Sequence, residues 1–365
     1  MSEIIKPKRT IIPFGPQHPV LPEPIHIDLV MEDETVVDAI PSVGFIHRGL
    51  EKLVEKKDYN EMVYVAERIC GICSFMHGMG YCEAVEHIMD VEIPDRAKYL
   101  RTIWCEFSRL HSHLLWLGLL ADGFGFEALF NECWRIREKV LDMVELTTGG
   151  RLISSVNKVG GLIKDVTPEM LKAMKETVIQ VEKELKPVAN TFLNDYSVKS
   201  RLCGSGILTK EEAIALGACG PMMRASGIEV DLRKTGYAAY DNIDFDIITS
   251  NDCDGYARCA VRIGELFQSV EIVRQAIDKI PDSEEVSVKL KGNPKGEFLM
   301  RLEQPRGEAF YYVEANGTKF IDRFRVRTPT FANLAPLIHT LKGAPFADVP
   351  LLVLTIDPCI SCTER

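Results

Sequence analysis

Two Cys-x-x-Cys pairs stand almost at opposite ends of this chain: Cys70-Gly71-Ile72-Cys73, and Cys359-Ile360-Ser361-Cys362 just before Arg365. Four thiolates can hold one soft metal centre, because sulfur ligands select soft or borderline ions. A structural zinc site made from two such pairs ordinarily closes over a loop of roughly 15–20 residues. Here nearly the whole chain lies between them. If the pairs share a metal, the site is a product of the whole fold rather than of a local knuckle. A thioredoxin-like redox pair belongs near a βαβ pattern, and no such pattern surrounds either pair. Spacing alone leaves structural zinc level with an iron–sulfur or other thiolate centre.

The chain has 365 residues, enough for one large domain or two. It is 46% hydrophobic, which suits a large core, and its net charge of −10 argues against a nucleic-acid face. No run of about 18–20 apolar residues predicts a transmembrane helix. Leu114-Leu115-Trp116-Leu117 continues to Leu120 and is cut by Asp122, so it reads as buried helix. Met1 to Lys6 lacks the apolar stretch of a signal peptide. The 11 cysteines, an odd number, fit a reducing compartment with free thiols. Cys82, Cys105, Cys133, Cys203, Cys219, Cys253 and Cys259 read as small core residues or bystanders.

Pro7, Pro13, Pro16, Pro19, Pro22 and Pro24 predict an extended start. Ile25 to Val30 and Thr35 to Ile40 alternate around Glu32-Asp33-Glu34 as a hairpin. Helical spacing runs over Leu50 to Ile69, Met76 to Met89, Asp95 to Leu120 and Phe126 to Thr147. Thr167-Pro168 and Thr209-Lys210-Glu211-Glu212 are helix starts. Asp254 to Ile280 is a long helix stopped by Pro281. Phe298 to Leu302, Ala309 to Glu314 and Phe320 to Arg325 read as strands with a turn at Asn316-Gly317. Thr330 to Leu341 is helical, and Leu351 to Leu354 reads as a buried strand leading to Asp357-Pro358-Cys359.

The expected fold is therefore mainly α with a small antiparallel β region, an α+β arrangement. It is read as one domain over residues 1–365: an extended and hairpin segment (1–45), a helical core (46–295) and a β-containing C-terminal segment (296–365). Gly71 is expected to let the backbone bend between the first two cysteines. A helix N-terminus beside them favours thiolate over thiol. Asp357-Pro358 fixes an extended turn, with Asp357 a candidate hydrogen-bond acceptor near the metal.

With its flanks, Arg68-Ile-Cys70-Gly-Ile-Cys73-Ser and Asp357-Pro-Cys359-Ile-Ser-Cys362-Thr-Glu-Arg365, the pair of motifs resembles the large, catalytic subunit of [NiFe] hydrogenases. The likeness extends to Gly15-Pro-Gln-His18-Pro, Arg48-Gly-Leu-Glu51, His111-Ser-His113, Gln304-Pro305-Arg306-Gly307-Glu308 and Arg325-Val-Arg327-Thr-Pro329-Thr330-Phe-Ala-Asn333. Gly15-Pro-Gln-His-Pro and Ser112-His-Leu-Leu-Trp-Leu-Gly also look like the quinone-site (49 kDa) subunit of respiratory complex I. The branch that resembles both is the membrane-bound, energy-converting (group 4, Ech-type) hydrogenases. The complex I relative lacks the four cysteines.

The resemblance implies reversible 2H⁺ + 2e⁻ ⇌ H₂ at a nickel–iron centre whose iron carries CO and two cyanides. Cys70, Cys73, Cys359 and Cys362 would hold nickel, with Cys73 and Cys362 shared with iron. Pro329 and Thr330 match the residues around the cyanides. Cys359 would be the first base and Glu23 the proton-relay carboxylate. Arg306 matches an arginine over the open metal site. His77, one helical turn after Cys73, would hydrogen-bond a sulfur or pass protons; His18, His111, His113 and Asp122 have weaker claims. Glu51 matches a carboxylate that holds magnesium together with a terminal histidine, and this chain departs from that pattern with Arg365.

The implied partners are a small subunit carrying a [4Fe-4S] cluster, further iron–sulfur subunits, membrane ion-translocating subunits and ferredoxin. No iron–sulfur cluster is expected in this chain itself. The implied place is the cytoplasmic side of the membrane, docked but not spanning. The alternative is a catalytically silent, complex I-like coupling subunit with a structural four-thiolate zinc.

Overall fold

The computed structural model describes residues 9–282 and 285–365, so Pro7 and the reading of Met1 to Lys6 fall outside the described part. The fold is α+β and mainly helical, as expected. Strands β1 (Arg9–Phe14), β2 (His26–Glu32) and β3 (Thr35–Ser42) form an antiparallel sheet in that order. β2 buries Ile27, Leu29 and Met31 and leaves the alternate residues half-buried, the period of a one-sided strand. Asp33 turns the hairpin with φ of 52°, a conformation that Asp tolerates.

The helical stretch expected over Leu50 to Ile69 is two short helices, α1 (Leu50–Val54) and α2 (Val63–Glu67). Asp58 bridges Phe320, and the Tyr59 amide donates to Lys319 O at 2.9 Å. That pairing takes backbone groups a continuous helix would need. α3 (Ser74–Ile88), α4 (Asp95–Gly123) and α5 (Glu127–Thr148) follow, then a minimal hairpin of β4 (Asn157–Lys158) and β5 (Gly161–Leu162). α6 (Pro168–Asn194) is capped by Thr167, whose hydroxyl accepts from the Met170 amide. After α7 (Tyr196–Leu202), α8 (Lys210–Ala215) carries the expected reciprocal box between Thr209 and Glu212. α9 (Pro221–Arg224) precedes α10 (Gly255–Lys279), which Asp254 caps.

β6 (Lys295–Gln304), β7 (Gly307–Asn316) and β8 (Ile321–Arg327) make a second antiparallel sheet that packs on α3. α11 (Pro329–Ala332), α12 (Leu334–Leu341), α13 (Val349–Thr355) and α14 (Ile360–Thr363) close the chain. Two apolar cores result. The larger joins α3–α6, α10 and the second sheet through residues such as Met76, Leu114, Val178, Leu266 and Tyr311. The smaller joins the N-terminal sheet to α12 and α13 through Ile27, Leu29, Leu337 and Val353.

α13 corrects the strand expected at Leu351 to Leu354. Leu351 and Leu354 face the larger core, while Leu352 and Val353 face the smaller. A helix buried on all sides loses its polar stripe, and a short apolar run then reads as readily as a strand. Pro350 in its first turn fits a helix start.

Candidate metal centre

The first cysteine pair is set by secondary structure. Cys70 lies between α2 and α3, and Cys73 is the N-cap of α3. The Ile72 amide points at Cys70 Sγ, 3.3 Å away. Gly71 is exposed and lacks positive φ, and a Cβ there would meet nothing within 4 Å. The expected need for glycine at this bend is therefore not met. Beneath the loop, Glu67 is fully buried against α3, where a Cβ on Gly78 would come within 2.5 Å of Glu67 Cγ. Burial pushes the Glu67 carboxyl up to about 7.

The second pair is set by side chains from elsewhere. Asp357 occupies the left-handed region with φ of 55°, a conformation that Asp adopts more readily than most residues with a side chain. Arg306 holds it there: Nε donates to Asp357 O at 2.8 Å, and Nη2 donates to Oδ1 at 2.9 Å. Arg306 is only 2% exposed and reaches Ser112 with its remaining end nitrogen. Cys359 then caps α14, its amide donating to Thr330 Oγ1 at 3.0 Å. The Ile360 amide donates to Glu23 Oε2 at 2.9 Å. The Thr328 hydroxyl donates to Cys362 O at 3.1 Å.

All four sulfurs converge. Cys70 Sγ lies 3.3 Å from Cys359 Sγ, and Cys73 Sγ lies 3.3 Å from Cys362 Sγ. The sulfurs of Cys70, Cys73 and Cys362 lie within 4.8 Å of one another, and all four residues are buried free thiols. A disulfide needs about 2.05 Å, so these contacts are not bonds. A metal with sulfur ligands at about 2.3 Å sets neighbouring sulfurs roughly 3.8 Å apart in a tetrahedral arrangement. The donor set fits a thiolate-bound metal, with Cys70, Cys73 and Cys362 grouped within 4.8 Å and Cys359 joined to them through its 3.3 Å contact with Cys70.

Hydrogen bonds from Cys359, Cys362 and Cys73 hold the Cys70 thiol well below its usual range. Burial holds Cys362 well above it. A metal bound here would displace the protons that these thiols carry. The helix end beside Cys73 does not by itself select the thiolate.

Around the sulfurs, His77 Nε2 lies 3.4 Å from Cys362 Sγ, and Tyr311 OH lies 2.9 Å from His77 Nδ1. Gln304 Nε2 donates to Tyr311 OH at 2.7 Å. Burial pushes the His77 imidazole down to about 4, so the ring is neutral at pH 7. Burial raises the Glu23 carboxyl against the pull of the Ile360 amide. Glu23 also lines a surface cavity of about 410 Å³ between Pro16 and Pro24. Pro329 opens α11 beside Thr330.

Glu51 is engaged through both carboxylate oxygens. Oε1 accepts from Arg365 Nε at 2.8 Å and from the Val326 amide at 2.9 Å, and Oε2 accepts from Arg325 at 3.0 Å. Two guanidinium cations on one carboxylate do not suit magnesium.

The other histidines serve elsewhere. His111 Nε2 meets Ile72 O at 2.8 Å and so buttresses the first loop; His113 pairs with buried Glu265 at 2.8 Å; His18 packs against Phe14 with the rings tilted by 40°. Asp122 lines a cavity with Leu21, Pro22 and Leu354. Sequence reasoning gave no role to Tyr311, Glu67 or Arg48. Tyr311 alternates inward on a strand like any core residue, and nothing local marks it.

Known proteins bear on this geometry. Residues 48–121 match the nickel-dependent hydrogenase family, and residues 124–293 and 286–365 match the 49 kDa subunit family of the respiratory-chain NADH dehydrogenase. The membrane-bound hydrogenase subunit alpha of Pyrococcus furiosus is 35% identical over 97% of this chain and 87% of its own length. A subunit of the F(420)H(2) dehydrogenase of Methanosarcina mazei is 34% identical over the full length of both chains. A chain in the structure of the membrane-bound sulfane sulfur reductase, an archaeal respiratory membrane complex, superposes with a TM-score of 0.94 at 31% identity, covering 99% of this chain and 100% of that one. The chain belongs to the family that unites the large subunits of nickel-dependent hydrogenases, among them the membrane-bound branch, with the 49 kDa subunit of respiratory complex I.

Proposed function

We propose that this chain is the catalytic subunit of a membrane-associated, energy-converting [NiFe] hydrogenase. Cys70, Cys73, Cys359 and Cys362 would hold a nickel–iron centre, with Cys73 and Cys362 as the residues that would also serve the iron. The observation that carries this reading is the convergence of four buried thiols from the two ends of the chain. When bound, such a centre supplies the redox chemistry of 2H⁺ + 2e⁻ ⇌ H₂.

The chain's own groups manage protons and charge. Cys359 Sγ is the first base. Glu23 reaches the same arm, where Oε2 accepts from the amide of Ile360, the residue after Cys359, and it lines the adjacent cavity through which a proton would leave. Burial raises its pKa above the ordinary carboxylate value, which favours the protonated form more than in water. Arg306 supplies fixed positive charge in a dry site, where such charge acts strongly. His77 is neutral and steadies the Cys362 sulfur. Pro329 and Thr330 flank the iron's small ligands. Glu23→Gln is expected to keep the metals and slow H⁺/H₂ isotope exchange about 100-fold; an unchanged exchange rate moves the proton exit elsewhere.

No helix among the described residues is long and apolar enough to cross a membrane. Relatives named as parts of membrane complexes support a peripheral chain docked on membrane partners. In this reading it faces the cytoplasm, and electrons arrive from a small subunit with a [4Fe-4S] cluster and ultimately ferredoxin.

The relatives named for F(420)H(2) and sulfane sulfur favour a second reading, a complex I-like coupling subunit whose thiolates hold zinc. Infrared absorption of the purified complex, with nickel, iron and zinc analysis, separates the two. One CO band with two cyanide bands and about one nickel per four thiolates supports the hydrogenase. Zinc without those bands overturns it in favour of the coupling role.

A further inference from the structure

We infer that Arg48, together with the Glu51–Arg365 ion pair, is the positioning device that holds the C-terminal cysteine arm against the first cysteine loop, and that it works without a divalent cation. This rests on the reading that the four cysteines share a metal.

Arg48 is exposed, yet its guanidinium turns inward onto both cysteine segments. Nη1 donates to Arg68 O at 2.9 Å, and Nη2 donates to Ile69 O at 2.7 Å and to Ser361 O at 3.0 Å. Ile69 immediately precedes Cys70, and Ser361 immediately precedes Cys362. One planar group therefore fixes the separation of the two backbones that carry these sulfurs. A lysine has no such fork.

The same stretch grips the arm further along. The Ile46 amide donates to Glu364 Oε2 at 2.5 Å, and His47 Nδ1 lies 3.0 Å from Glu364 O. Glu51 then takes Arg365, whose Nη1 closes back on Thr363 O at 2.9 Å. Residues 46–51 thus meet residues 361–365 step by step. α14 has only four residues, too few to hold itself. At Glu51 the counter-charge is supplied by Arg365 and Arg325, so a divalent ion would meet two guanidinium cations at that carboxylate.

The test is site-resolved thiol alkylation of the metal-stripped 365-residue chain, read by mass spectrometry, alongside nickel analysis of the purified complex. Arg48→Ala is expected to speed labelling of Cys359 and Cys362 about tenfold or more, since charged hydrogen bonds are lost. Core Cys82 and Cys105 should label at the wild-type rate, which separates an opened arm from general unfolding. Arg48→Lys should rescue only partly, and Glu51→Gln should show a smaller increase. Arg135→Ala, a remote surface pair, should show none, and magnesium should not slow labelling of the wild type. Wild-type labelling rates in both Arg48→Lys and Glu51→Gln, or protection by magnesium, overturn the brace. If Arg48→Ala does not fold, those two variants carry the test. Absence of nickel from the wild-type complex counts against the hydrogenase reading instead, and leaves the alkylation result to judge the brace.

Discussion

The two Cys-x-x-Cys pairs share a spacing and differ in what holds them. Cys70 and Cys73 ride on the entry to α3, a 15-residue helix rooted in the larger core. Cys359 and Cys362 ride on a four-residue helix. That helix is held by Arg306, Thr330, Glu23, Thr328 and Arg48 from distant parts of the chain. The first pair is placed mainly by the start of α3, with Arg48 and His111 bracing its loop, and the second almost wholly by tertiary hydrogen bonds around Asp357. Any change that loosens tertiary packing should therefore reach the second pair first.

The most damaging test removes a shared ligand. Cys362→Ser should abolish both metal retention and H₂ turnover; near-normal nickel content and activity would sink the site assignment. Arg306→Gln comes next. It strips a buried carboxylate of its cation and the left-handed turn of its clamp, a loss of about 3–5 kcal/mol by analogy with other broken buried pairs. Denaturant unfolding should register it, with the cysteine arm released before the rest. If stability is unchanged, Arg306 is not what holds the second pair.

On the first pair the expected sign is reversed at high pH. The folded-state pKa of Glu67 is raised to about 7, so the folded state binds its proton more tightly than the unfolded state does. Its stabilising contribution is present below about 4.5 and is lost as pH rises through about 7. Glu67→Gln should flatten that decline, gaining on the order of 3 kcal/mol at pH 8 relative to wild type. Stability curves at about pH 5 and pH 8, on either side of the shifted value, check this; parallel curves for the two proteins would show that Glu67 does not carry the dependence. Smallest of all is Gly71→Ala. With open space and an ordinary backbone it should change stability by no more than about 0.5 kcal/mol, measured by thermal melting. A large loss there would mean that the first loop is as constrained as the second.

Much of this was legible in the sequence. The hairpin, the long helices, the Thr167 and Thr209 caps and the three C-terminal strands follow from periodicity and end signals. The misses share a cause. Leu351 to Leu354 read as a strand because α13 is wedged between two cores and has no polar face. The helix over Leu50 to Ile69 broke because Asp58 and Tyr59 pair with the distant β7–β8 turn. Local pattern carries no information about a partner that far along the chain.

At the site, the sequence by itself offered four thiols in two matched pairs, and the resemblance to [NiFe] hydrogenases added Glu23, Arg306 and His77 as candidates beside them. Thiolate softness and motif spacing are properties of the residues, and they survive in any conformation. Only the tertiary structure decided that the pairs meet 3.3 Å apart, and that Arg306 clamps Asp357. It also decided that Tyr311 backs His77, and that Glu51 is filled by arginines rather than left for magnesium. Those are facts of distance between chain segments, and distance is fixed by how the two cores pack.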